Sequence, residues 1–140
     1  MPLLNLHRRA LFAAAGGLAA VLVAGCASMG FGSAEDIVRE RAQARWNALV
    51  ERDWNTAYPY LTPGYRALVP LKRYGNQFSG PMQWESAQVD SVKCEEARCT
   101  VRVGVTARII LPGHDKRLTT TYFDETWVRE EGQWYKFEQL

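Results

Sequence analysis

The sequence predicts an α+β fold in which N-terminal helices pack on a four-stranded antiparallel meander. Three observations carry that prediction. Between Ser33 and Phe78 the apolar residues recur at three-to-four spacing, as one face of a helix requires. From Met82 onward the period drops to two, and turn-forming clusters divide the chain into four runs of strand length. Helices come first and strands after, which is the order of an α+β plan rather than of alternating βα units.

A chain of 140 residues, 47% hydrophobic and 23% charged, holds one ordinary domain and excludes a multidomain enzyme. Its net charge of +2 is far below the basic excess of a strong nucleic-acid binder, so no nucleic-acid partner is expected. At the N-terminus, Arg8 and Arg9 precede an uncharged run from Ala10 to Gly25. That run is shorter than the roughly 20 residues a helix needs to cross a hydrocarbon core, so it reads as a signal peptide rather than a permanent span. It ends in Leu22-Val23-Ala24-Gly25-Cys26, which resembles the lipobox of bacterial lipoproteins.

The resemblance implies cleavage before Cys26 and lipidation of its sulfur. Each buried methylene contributes about 0.8 kcal/mol, so two or three acyl chains make a stable membrane anchor where one does not. Ala27 after the cysteine, in place of the aspartate that retains such proteins in the inner membrane, implies an outer-membrane anchor facing the periplasm. Residues 1–25 carry two arginines and no acid, so their removal leaves 15 of the 17 basic residues against 15 acidic ones. The positive excess therefore belongs to targeting. Residues 26–33 are small and glycine-containing, a flexible tether, and residues 34–140 form the single folded domain.

Ser33, with Glu35 and Asp36 behind it, is an N-cap signal. Ile37 or Val38, Ala42, Trp46, Leu49 and Val50 then define the apolar face of a helix of about five turns. Arg39, Glu40, Arg41, Gln43, Arg45 and Glu51 are assigned to its other face. Asp53 caps a second, shorter helix carrying Trp54, Ala57, Tyr58 and Leu61, which Thr62-Pro63-Gly64 ends or redirects. A third helical piece is expected from Tyr65 to Val69, and Leu71 to Phe78 continues helically. Trp84 to Cys94 reads as the first strand. In the second, Cys99, Val101, Val103, Val105, Ala107 and Ile109 share one face while Thr100, Arg102, Thr106 and Arg108 share the other. Leu111 to Asp115 is a turn, Thr119 to Arg129 the third strand, Glu131-Gly132 a turn, and Gln133 to Glu138 the last strand.

A four-residue turn between Cys94 and Cys99 would set their β-carbons face to face, at disulfide distance, in a compartment where disulfides persist. The spacing is not the two-residue spacing of redox or metal pairs, and no histidine lies nearby, so no metal site is expected.

The run from Trp46 to Tyr58, the segment Leu61 to Arg66, and the closing Glu125 to Lys136 resemble the nuclear transport factor two-like superfamily. That resemblance implies a cone of helices packed into a curved four-stranded antiparallel sheet. The pocket inside it serves isomerase, dehydratase or cyclase chemistry in some members and binding alone in many others. It carries no catalytic motif onto this chain.

Asp124 and Glu125 are adjacent on a strand, so they point to opposite faces and cannot act as a paired acid and base. Whichever points into the cone is a candidate base, and Tyr122, on the face of Asp124, is a candidate hydrogen-bond donor. His114, in a Pro-Gly-His-Asp turn, is read as a solvated turn residue rather than a base paired with Asp115. Arg102 and Arg108 are read as a solvated sheet face. Trp46, Trp54, Tyr58, Tyr60, Trp84, Trp127, Trp134 and Tyr135 are read as core, with a ligand cavity as the alternative.

The expected function is that of a lipid-anchored envelope protein whose domain binds a small apolar ligand or another envelope protein, without catalysis and without a cofactor. Two alternatives stand beside it: an isomerase- or hydrolase-like enzyme using a carboxylate inside the cone, and a structural envelope component. The lipobox is the directly testable part. Cys26→Ser should abolish incorporation of labelled fatty acid, and undiminished labelling in that variant would contradict the anchor.

Overall fold

The first helix starts where its cap is. In the computed structural model, which describes residues 32–110, 112–113 and 117–140, Ser33 Oγ accepts from the Asp36 amide and the Asp36 carboxylate accepts from the Ser33 amide. This reciprocal pair satisfies two of the orphan donors at the start of α1 (Ala34–Val50). Residues 1–25, Cys26 and most of the tether lie outside the described residues, as do His114 and Asp115. No helix among the described residues is long and apolar enough to cross a membrane.

Arg52, in the left-handed region at φ 60°, ends α1. Its amide donates to Leu49 O and that of Asp53 to Ala48 O, the paired bonds of a helix-closing Schellman motif. Asp53 then caps α2 (Trp54–Ala57) through the Thr56 amide and hydroxyl. A 3₁₀ turn, Tyr58–Tyr60, follows. Thr62 and Pro63 start a helix instead of ending one. Thr62 Oγ1 accepts from the Tyr65 amide and proline occupies the first turn of α3 (Pro63–Leu68), where a missing N–H costs nothing. After Pro70, α4 spans Leu71–Asn76.

Strands β1 (Met82–Glu95), β2 (Arg98–Ile109), β3 (Thr119–Glu130) and β4 (Gln133–Lys136) form one antiparallel sheet in sequence order. The β1–β2 turn is tighter than four residues, because Glu95 still pairs with Arg98 and only Glu96 and Ala97 lie between the strands. Cys94 and Cys99 are cross-strand partners with Cα atoms 4.0 Å apart and are joined by a disulfide. Glu131 and Gly132 both take positive φ, as a two-residue hairpin of right-handed strands demands.

Two register shifts in β1, at Glu85 and at Asp90, bend the sheet into a half-barrel. Each extra residue also resets the alternation. As a result Trp84, Ala87, Val89, Val92 and Cys94 all reach the inner side although their numbers are not spaced by twos. Val101, Val103, Val105 and Trp127 complete the sheet's share of the core, and Val38, Ala42, Trp46 and Leu49 supply that of α1.

The polar side of α1 differs from the solvated face its composition suggests. Glu35 Oε1 accepts from the Cys94 amide, Arg39 donates to Val89 O, and the Gln43 amide both donates to Ala87 O and accepts from Val89 N–H. Arg41 Nε donates to Trp134 O. The helix thereby lies along β1 on one side and reaches β4 on the other, covering backbone groups that a bare sheet edge would expose.

The disulfide closes a short ring. By the loop-closure relation, replacing both cysteines with alanine should lower unfolding stability by about 2 kcal/mol. A urea midpoint unchanged by Cys94→Ala/Cys99→Ala would refute that contribution.

Candidate functional site

Arg45 belongs to the buried side of α1, not to its solvated face. It lies seven residues after Val38, three after Ala42 and four before Leu49, on the stripe that faces the sheet. Arg45 is 3% exposed, and its guanidinium forms an ion pair with Glu125 of β3, which is 5% exposed, at 3.0 Å between Nη1 and Oε1. Arg45 Nη2 donates to the Tyr74 hydroxyl of α4 at 3.2 Å, and Trp127 Nε1 donates to Glu125 Oε2 at 3.3 Å. Both carboxylate oxygens are therefore occupied. Burial alone would lower the pKa of Arg45, but the Glu125 carboxylate and the Tyr74 hydroxyl outweigh it and hold the guanidinium above its ordinary range. Burial pushes the Tyr74 phenol up, against the opposing pull of Arg45. Two buried donors of this region, Arg45 Nε and Trp46 Nε1, have no acceptor among the described residues.

Beside this network runs a chain of aromatic rings. Trp46 lies edge-on to Trp84 and tilted against Phe123, each at 5.5 Å between centroids; Trp84 meets Phe78 at 5.3 Å, and Phe78 stacks on Trp54 at 5.0 Å. Trp84 and Phe123 also line an open hollow of about 380 Å³ at the end of the sheet where β1 and β3 begin. Met82, Val105, Ala107 and Ile109 supply the rest of its apolar lining, and Thr119, Thr121, Arg108 and Arg117 its polar part. The volume falls within the range of small-molecule sites. None of Arg45, Tyr74 and Glu125 lines it.

The remaining candidates divide by face. Glu125 is the acidic residue that points into the cone. Asp124 is on the outer face of the sheet, paired with Arg102 at 3.1 Å, both about half exposed. Tyr122 is out there too, 54% exposed, with its ring across Gly104, where a β-carbon would come within 2.7 Å of Tyr122 Cε1. It therefore cannot serve Glu125 as a donor inside the cone; Trp127 and Arg45 fill that role. Arg108 pairs with Glu85 at 2.6 Å. Of the eight aromatics, Trp46, Trp127 and Trp134 are buried core, whereas Trp84 both packs on the core and lines the hollow. Among the described residues, no group of three or more His, Cys, Asp or Glu side chains is placed to hold a metal.

Reading the residues put Arg45 on the solvated face and did not single out Tyr74; of the aromatics weighed there as a possible cavity lining, Trp84 alone lines this hollow among the described residues. A signal for Arg45 exists, because a charge spaced four, three and four with buried apolar positions has to find a partner across the core.

No protein-family model and no curated protein sequence matches the chain. Solved structures do. One is a SEC-C motif containing protein from Rhodopseudomonas palustris, 16% identical, with TM-score 0.56 over 70% of this chain and 73% of that one. A second is an NTF2-like protein of unknown function from Pseudomonas putida, 18% identical, with TM-score 0.51 over 76% and 84%. A third is a ketosteroid isomerase-like protein from Erwinia carotovora atroseptica, 14% identical, with TM-score 0.52 over 76% and 92%. The fold is thus the NTF2-like cone, helices against a curled four-stranded sheet.

The ion pair has a measurable signature. Arg45→Met or Glu125→Leu alone should each cost about 3–5 kcal/mol by stranding a buried charge. The double variant should lose far less than the sum. Additive losses in urea unfolding would contradict the pairing.

Proposed function

We propose that this chain is a lipid-anchored protein of the bacterial envelope, held at the outer membrane through Cys26, whose cone domain binds a small apolar molecule in the hollow without transforming it. One observation carries the binding reading. Among the described residues, the hollow is lined by two aromatic rings and four other apolar side chains, and its polar groups are hydroxyls and guanidiniums, neither of which serves as a general base near neutral pH. General acid–base chemistry on a bound ligand needs a titratable group within hydrogen-bond reach. Among the described residues, the lining has none.

The alternative reading, an isomerase- or hydrolase-like enzyme, needs Glu125 as its base. Against it stand the two bonds that engage both Glu125 oxygens and the absence of Glu125 from the lining. A role in docking an envelope protein finds support in the exposed Met82, Ile109, Ile110, Leu118 and Phe123, all of which lie on or next to lining positions. The small-ligand reading is preferred because the hollow is concave.

The test uses the Cys26→Ser chain, which carries no lipid of its own to compete, and the neutral apolar dye N-phenyl-1-naphthylamine. The dye should bind at one saturable site with enhanced fluorescence. Thr121→Trp, which fills the hollow from an exposed position, should weaken that binding at least tenfold. Equal binding by the filled variant, or no saturable site in the parent, would refute the proposal.

A further inference from the structure

A second depression, of about 490 Å³, lies where α1, α2, the 3₁₀ turn and α3 meet β4. Its lining brings together Arg41, Arg66, Tyr60, Tyr135, Thr56 and Gln133, with no carboxylate among the described residues. Arg41 is fixed on three sides by uncharged partners. Its Nε donates to Trp134 O at 2.9 Å, and its guanidinium stacks 4.9 Å from the centre of the Tyr60 ring. With its amide oriented to accept, Gln133 Oε1 meets Nη1 at 2.8 Å and Nη2 at 3.2 Å. Arg66 is tied to Leu61 O at 3.1 Å through Nε. Among the described residues, neither arginine has an ion-pair partner.

The arrangement is electrostatically incomplete. Partial burial lowers the pKa of Arg41, and the groups that oppose the shift are two tyrosines rather than a carboxylate. Two guanidiniums facing one cavity repel each other; Arg66, held through Nε, keeps its terminal pair of N–H donors for a ligand, and Arg41 keeps on each terminal nitrogen the one N–H that Gln133 does not take. An arginine that only tied a helix to a strand would need neither a second cation beside it nor an open cavity in front of it. Planar oxyanions accept paired N–H bonds from guanidinium, and Tyr60 and Tyr135 add aromatic surface and hydroxyls of the kind that hold the rest of a small polar molecule.

We infer that this depression binds a small molecule through an oxyanion, a carboxylate or a phosphate, held between Arg41 and Arg66 on a body about the size of a sugar. The site shares no lining residue with the apolar hollow, so it stands or falls separately.

Isothermal titration of the full chain in neutral detergent tests it, with inorganic phosphate and glucuronate as separate probes and ionic strength held constant with chloride. At least one of them should bind saturably, and which one does identifies the oxyanion. Arg66→Gln should weaken that binding tenfold or more, Arg66→Lys should restore part of it, and Thr121→Trp in the hollow should leave it unchanged. Arg41→Gln should show the same loss if its circular dichroism remains native; Arg66→Gln decides the matter if it does not. Absence of saturable binding by both anions, equal affinity in Arg66→Gln, or glucose binding as tightly as glucuronate would overturn the inference.

Discussion

A charged residue on the buried side of a helix has to be answered from across the core, and in this chain Arg45 of α1 is answered by Glu125 of β3. The pair sets more than its own bond. It fixes the rotation of α1, so that Val38, Ala42 and Leu49 face the sheet and Trp46 meets Trp84 and Phe123. It also draws in Tyr74 from α4 and Trp127 from β3, joining three elements distant in sequence. A buried ion pair stabilises little compared with a well-packed apolar substitute, yet losing one partner is costly, because the other is left charged in a dry interior. Such an arrangement discriminates between correct and incorrect packing more than it deepens the correct one.

The same pair separates charge from cavity. The extra residues at Glu85 and Asp90 curl β1, and α1 lies inside the resulting half-barrel, leaving the end of the sheet near Met82, Ile109 and Thr119 as an open apolar hollow. A cone fold offers an interior carboxylate to chemistry only if that carboxylate reaches the space a ligand occupies. Here it is engaged elsewhere. The 17 residues of α1 run about 25 Å, from the Glu35 contact with the Cys94 amide to the region of Trp84, so the end that follows the tether and the end nearest the hollow are a helix length apart.

Much of the fold was legible because local signals and tertiary structure agree. Ser33 and Asp53 announce caps, the valines of β2 announce an inner face, and Glu131-Gly132 announces a hairpin. The departures have physical causes. Bulges shift the parity of β1, a property set by strand pairing and invisible to a count of alternating residues. Thr62-Pro63 reads as a stop when proline is taken as a breaker, although proline is favoured in the first turn of a helix. Arg45 was placed by its charge when its spacing argued for burial. The opposite orientations of Asp124 and Glu125 follow from strand geometry, but that Glu125 is the inner one depends on the register with Val101. The hollow draws its lining from three strands, and no single segment announces it.

The ionisable cluster of Arg45, Tyr74 and Glu125 is a structural unit set apart from the apolar hollow. Nitrogen-detected NMR of the arginine side chains observes this directly. The Arg45 guanidinium protons should exchange slowly and keep their shifts while an apolar dye saturates the hollow and moves the signals of Trp84 and Phe123. Arg45 protons exchanging as fast as those of the half-exposed Arg102, or shifting in step with the dye, would contradict that separation.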